Sequence, residues 1–132
     1  AADCLQTAIK RNGAAFKNFE RLTDVYAMLA ETSPGQERAD WLDKAFETAS
    51  EAVNRYGGCG RLHFKLAQIA EQSAKTDVAI EHYAKAIEIE KAYRDQFRRI
   101  YPERKEVVSR LGEERHQKAQ QRVKLLRESP SL

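Results

Sequence analysis

GRLHFKLAQIAEQSAKTDVAIEHYAKAIEIEKAY, residues 60–93, reads as one complete helix-turn-helix repeat. Leu66, Ala67, Ala79, Tyr83 and Ala86 carry that reading. Small side chains where two helices cross let the backbones approach, and a bulky residue four positions after Ala79 fills the groove between them. A unit of about 34 residues built in this way cannot bury its apolar face alone and depends on stacked neighbours.

Moving the frame towards the N-terminus puts Ala45, Ala49 and Ala52 at the crossing positions of an earlier second helix, with Phe19, Leu22 and Tyr26 on its first helix. That copy is longer than a standard unit by about ten residues. The extra length falls around Ser33-Pro34-Gly35-Gln36, read as a capping box with proline at the first helical position. The hairpin tip is expected to project, with Trp41 packing on Met28 or Leu29. Ala1, Leu5 and Ala8 match the second helix of a still earlier, truncated repeat. Further repeats are therefore expected upstream, the chain reads as a fragment, and its uncovered flank at Ala1 to Ala8 suits a homodimer. The resulting domain plan is a single unit over 1–132, with a half repeat at 1–12, a lengthened repeat at 14–56, a complete repeat at 60–93 and capping helices and tail at 94–132. Helices are expected near 2–12, 15–31, 34–55, 60–73, 77–90, 91–100 and 104–127. Gly112 should kink or break the last one. Beyond it His116, Ala119, Val123 and Leu126 form a narrow apolar stripe that covers the final repeat.

The positions Leu66, Ala67, Ala79, Tyr83 and Ala86 resemble the tetratricopeptide repeat pattern, with alanine for glycine at 67 and tyrosine for phenylalanine at 83. His63, Ala70 and Lys91 depart from it, standing where tryptophan, tyrosine and proline are usual, so the copy is divergent. The resemblance implies an all-α, right-handed solenoid of antiparallel helix pairs with a C-terminal capping helix. It also implies a concave groove lined by the first helix of each pair, where a protein or peptide partner lies. The groove positions are Lys17, Glu20, Asp24, Arg61, Phe64, Gln68, Glu71 and Gln72. Phe64 would either anchor a partner or pack on the neighbouring helix. Gln68 and Asp24 stand where a carboxylate clamp would need asparagine, which argues against a receptor for chaperone tails.

A third of the residues are charged, and the net charge is +3. Twelve lysines and arginines face six acids after Glu90, making residues 91–132 +6 and residues 1–90 −3. Such asymmetry marks either a solvated face or a segment that meets anions. The longest apolar run, Val25 to Ala30, is far short of the roughly 20 residues of a membrane helix, and Ala1 to Gly13 lacks a signal-peptide pattern. Two cysteines, Cys4 and Cys59, make no disulfide framework.

Nothing in the chain converges for catalysis. The three histidines, at 63, 82 and 116, lack a metal-ligand spacing or a nucleophile partner. His63 is expected to be packed and hydrogen-bonded, His82 to face solvent and His116 to touch the core edge. Gly57-Gly58-Cys59-Gly60 lacks the lysine and hydroxyl residue of a phosphate loop and reads as a tight interhelical turn. Glu113 and Glu114 diverge by about 100° on a helix and suit its first turn. No enzyme activity, cofactor or metal is expected.

Tyr93-Arg94-Asp95-Gln96-Phe97-Arg98-Arg99-Ile100-Tyr101-Pro102, followed by Val107-Val108-Ser109-Arg110-Leu111-Gly112-Glu113-Glu114, resembles the C-terminal repeat tails of bacterial O-antigen ligase or polymerase family membrane proteins. Arg104 to Glu106 are more charged than that pattern, and His116 replaces an aromatic. The resemblance implies a soluble domain of the cell envelope, tethered to the inner membrane by a parent protein whose catalytic part lies elsewhere. Phe97, Ile100 and Tyr101 would then dock a short helix on the last repeat, ended by Pro102, with Val107, Val108 and Leu111 continuing the cover. The function expected is a non-catalytic interaction scaffold. The alternative is an electrostatic anchor, in which Arg98, Arg99, Arg104, Lys105, Arg115, Lys118 and Arg122 meet anionic lipid, lipopolysaccharide or other polysaccharide. Nucleic acid is disfavoured, because acids are interspersed and exposed aromatics are not.

Overall fold

A computed structural model describes residues 16–106 and 109–128. The expected half repeat at 1–12, with Cys4, the homodimer flank at Ala1 to Ala8, and the covering role of Val107 and Val108 lie outside the described residues. The fold is all-α and helical-repeat-like: α1 (Phe16–Thr32), α2 (Gly35–Arg55), α3 (Gly60–Gln72), α4 (Thr76–Ile100) and α5 (Glu113–Glu128). No strand occurs among the described residues. None of these helices is long and apolar enough to cross a membrane.

Each helix packs on the next in chain order, as short connections between apolar-striped helices require. On α1, Phe19, Leu22, Tyr26 and Ala30 recur at steps of three and four and are all buried. Thr23 shares that face, and its hydroxyl donates to the Phe19 carbonyl at 2.8 Å, so burial leaves it satisfied. Leu42, Ala45, Ala49 and Ala52 form the matching stripe of α2. The alanines bring the two backbones close, and Trp41 stacks on Tyr26 with ring centroids 5.8 Å apart. Met28, one of two partners expected for Trp41, points to solvent, while Leu29 joins the edge of the cluster.

The centre of the stack is α3, where seven of 13 residues are buried. Leu62, Leu66 and Ile69 complete the core of α1 and α2, whereas Phe64, Ala67 and Ala70 face a second core shared with α4 and α5. A helix with two apolar faces must be covered on both. Its C-terminus closes with Ala74 in the left-handed region (φ 59°), the Lys75 amide bonding the Ala70 carbonyl at 2.8 Å and the Ala74 amide bonding Glu71 at 3.1 Å. This is the Schellman arrangement, with alanine where glycine is usual.

Five expectations are corrected. The helices expected at 77–90 and 91–100 are one 25-residue helix, α4. Lys91 stands where a proline would have stopped it, and neither glycine nor proline occurs before Pro102. The expected capping box is absent: α2 starts at Gly35 (φ 54°), after Pro34, without a side-chain cap. The last helix begins at Glu113 instead of 104. Gly112 adopts φ 96°, which makes it the start of α5 and not a kink within a helix. Finally, Ile100 and Tyr101 do not dock. They are 58% and 47% exposed, because α4 overshoots the 13-residue α3 by three turns.

Candidate functional site

Side chains tie α1, α3 and α5 into one face. Glu20 on α1 accepts from Arg61 on α3 at 2.6 Å, and one helical turn further Asp24 accepts from Lys65. At the other end of α3, Glu71 is held by Arg122 of α5 through paired bonds, 2.8 Å from Nε and 2.9 Å from Nη2. This fork-to-carboxylate geometry is directional as well as attractive. Hydrogen bonding to Glu71 raises the Arg122 pKa further above its ordinary value. Burial, followed by the charge of Glu71, pushes the Tyr83 phenol far up, so it stays protonated and its hydroxyl points at the same carboxylate.

Between α3 and the start of α5 lies a cleft of about 430 Å³ that brings together five of the residues singled out in the sequence: Arg61, Phe64, Gln68, Arg115 and Lys118. Lys65, Glu113 and Glu114 share its walls. Arg115 is braced by donating to the Leu111 carbonyl at 3.2 Å. Lys17 and Gln72 are exposed and lie outside this cleft. Phe64 is not an open anchor. It is 5% exposed, with its ring edge-on to Tyr83 at 5.6 Å, which decides between the two roles considered for it.

The expected basic patch separates into three parts. Arg122 is half-buried and committed to Glu71. Arg115 and Lys118 belong to the cleft. Arg98, Arg99, Arg104 and Lys105 are exposed around the projecting end of α4, where Arg98 lies 3.7 Å from Asp95 and the Arg104 guanidinium sits over the Tyr101 ring. Tyr93, Phe97 and Tyr101 run along that end at four-residue steps. An exposed aromatic therefore is interleaved with the cations, contrary to the expectation.

Two arrangements escaped the sequence reading. Glu90 is 2% exposed, and its carboxylate accepts from Ser109 Oγ at 2.8 Å and from the amides of Arg110 and Leu111 at 3.1 Å each. Arg94 stands beside it and also reaches Glu113 at 2.8 Å. Burial raises the Glu90 pKa, but the bonds from Leu111, Ser109 and Arg110 outweigh it, and the pKa ends below its usual value. The signal was available, since Ala79, Tyr83, Ala86 and Glu90 keep one stripe, and a carboxylate at a core position demands donors. The second is His82, expected in solvent but half-buried against His63. Among the described residues no group of three or more His, Cys, Asp or Glu side chains could hold a metal.

Comparison with protein-family models, curated proteins and solved structures returns no match to the chain. The class defined by the architecture is a helical-repeat-like, all-α protein.

Proposed function

We propose that this chain is a non-catalytic, tetratricopeptide-type interaction module that holds an extended peptide on the face formed by α1, α3 and α5. The observation that carries the reading is the cleft between α3 and α5, where polar side chains from the two helices converge over the buried Phe64–Tyr83 pair. Repeats of this kind supply a rigid scaffold, and specificity comes from a few side chains on it. Arg115 and Lys118 on the exposed lip favour an acidic peptide. The tail resemblance supports reading the module as part of a membrane protein of surface polysaccharide assembly. A pull-down from cell-envelope extract, comparing the native chain with an Arg115→Glu/Lys118→Glu variant, tests the site. A protein retained by the native chain and lost by the folded variant supports it, and equal recovery by both rejects it.

A second reading is favoured by the end of α4, where Ile100 and Tyr101 protrude among Arg98, Arg99, Arg104 and Lys105. Apolar tips ringed by cations suit the surface of an anionic bilayer, each cation adding about 1 kcal/mol. Co-sedimentation with phosphatidylglycerol vesicles that is lost on Arg98→Glu/Arg99→Glu, and absent with neutral vesicles, would favour this anchor over the peptide scaffold.

A further inference from the structure

The turn Gly57-Gly58-Cys59-Gly60 does more than join α2 to α3. Its small residues leave a second cleft, of about 540 Å³, between the turn, the far half of α4 and the Arg110–Leu111 segment. That size lies within the roughly 300–1,000 Å³ of small-molecule sites. Tyr56, Ile89, Tyr93 and Leu111 supply apolar walls. A Cβ on Gly60 would stand 3.7 Å from Ile89 and 3.9 Å from Leu111, so the turn rests directly on the cleft floor. A Cβ on Gly58 would meet nothing within 4 Å, which places that residue at the opening.

The charges around this space have one sign left over. Glu90 lines the wall, but its oxygens are occupied by Ser109, Arg110 and Leu111. Arg61 stands on one side with Glu20 as its counter-charge. Arg110 is different: its amide is fixed by Glu90, while its exposed guanidinium lies over the Tyr93 ring at 5.1 Å, at the edge of the cleft. Apolar walls with a positioned guanidinium are complementary to an apolar body that ends in a single anion.

We propose that the cleft beneath the Gly57–Gly60 turn binds a small amphiphilic anion, its hydrocarbon part against Tyr56, Ile89, Tyr93 and Leu111 and its carboxylate or phosphate at Arg110. The site is separate from the peptide face and shares only Arg61 with it. Ligand occupancy would brace the α2–α3 turn against the segment that leads into α5, and so would tie the two cores together.

The test uses octanoate, octyl phosphate and octanol, followed by amide NMR and isothermal titration on the full chain. Both anions should shift amides of Gly58 to Arg61 and of Arg110 to Leu111, and at least one should bind about tenfold more tightly than octanol, the worth of one hydrogen bond to a charged group. The tighter of the two anions identifies the natural head group. Arg110→Gln should bring the anions down to the octanol level, and Gly58→Trp should close the opening to all three probes. Absence of amide shifts at millimolar octanoate, equal affinity for octanol, or an anion preference that survives Arg110→Gln would each overturn the proposal. Arg110 is exposed, so its variant reports on binding even if Gly58→Trp fails to fold.

Discussion

His63 Nδ1 lies 2.9 Å from His82 Nδ1, joining α3 to α4 through one hydrogen bond. The tautomers follow from the third partner. His63 Nε2 is 2.8 Å from the Gly57 carbonyl, which can only accept, so His63 carries its proton there and His82 Nδ1 donates to His63 Nδ1. Partial burial and then the neighbouring His63 hold the His82 pKa below 6.5, and Glu81 offsets this only in part. The folded chain therefore binds fewer protons than the unfolded one just below that value. Its contribution to stability is complete above 6.5 and is lost as the pH falls towards the lowered folded pKa. Melting temperatures should decline as the pH falls from about 6.5 to about 5.5, with a shallower decline in His82→Gln. Identical slopes in both proteins would show that His82 does not titrate in this way.

Glu90 governs how the second core is closed. Its carboxylate receives two amides and a hydroxyl, and Ser109 Oγ in turn accepts from the Gly112 amide at 2.9 Å, so one side chain shapes the whole approach to α5. Glu90→Ala leaves those donors, the buried Leu111 amide above all, without their partner and should cost about 3 kcal/mol. Glu90→Gln is expected to be nearly as damaging, because its amide group would face another N–H. Hydrogen exchange distinguishes local from global effects: the Leu111 and Gly112 amides should lose protection before those of α1 and α2. Because the Glu90 pKa is lowered in the fold, the native chain should also lose this contribution as the pH falls below 4.5.

What was legible in the sequence follows the range of each interaction. Small residues and apolar steps are local, so the helices at 16–32, 35–55 and 60–72 fall within two residues of expectation, and Ala45, Ala79 and Ala86 are fully buried. Ionic links are not local. Glu20 and Arg61 are 41 positions apart, Glu71 and Arg122 are 51 apart, and no periodicity announces such pairs. The groove list thus named five residues, Glu20, Asp24, Arg61, Phe64 and Glu71, whose polar or aromatic groups are already engaged within the chain. The last helix starts later than expected because charged, helix-compatible residues at 103–106 favour helix locally, whereas the buried Glu90 holds the Arg110 and Leu111 amides in a non-helical connection.

Ala74 offers a stabilising change. It is the one non-glycine residue with positive φ among those described, and it occupies the left-handed position that ends α3. A Cβ in that conformation crowds the backbone, and glycine removes the strain while adding unfolded-state entropy. Since strain relief dominates at such caps, Ala74→Gly should raise stability by about 0.5–1 kcal/mol. Urea denaturation with an unchanged slope and a higher midpoint would confirm it, and a lower midpoint would mean that the turn is not held in this geometry.

Phe64 separates a groove anchor from a core residue by experiment as well as by geometry. Its ring packs on Tyr83, whose own side chain is fully buried between α3, α4 and α5, and it closes the floor of the 430 Å³ cleft. Truncation to alanine removes buried aromatic surface and leaves a cavity that the stiff helix pair cannot collapse, at a cost of about 3–5 kcal/mol. Phe64→Leu keeps most of the volume and should cost about 1.5 kcal/mol or less. Phe64→Asp, which would isolate binding if the ring were exposed, should instead unfold the second core, because it removes the ring packed on Tyr83 and sets a charge among apolar side chains. The readout is thermal unfolding by circular dichroism of all three variants. The order Leu, Ala, Asp, with Asp giving no cooperative transition, marks a core residue, and a native-like melt for Phe64→Asp would return the ring to solvent and to the partner.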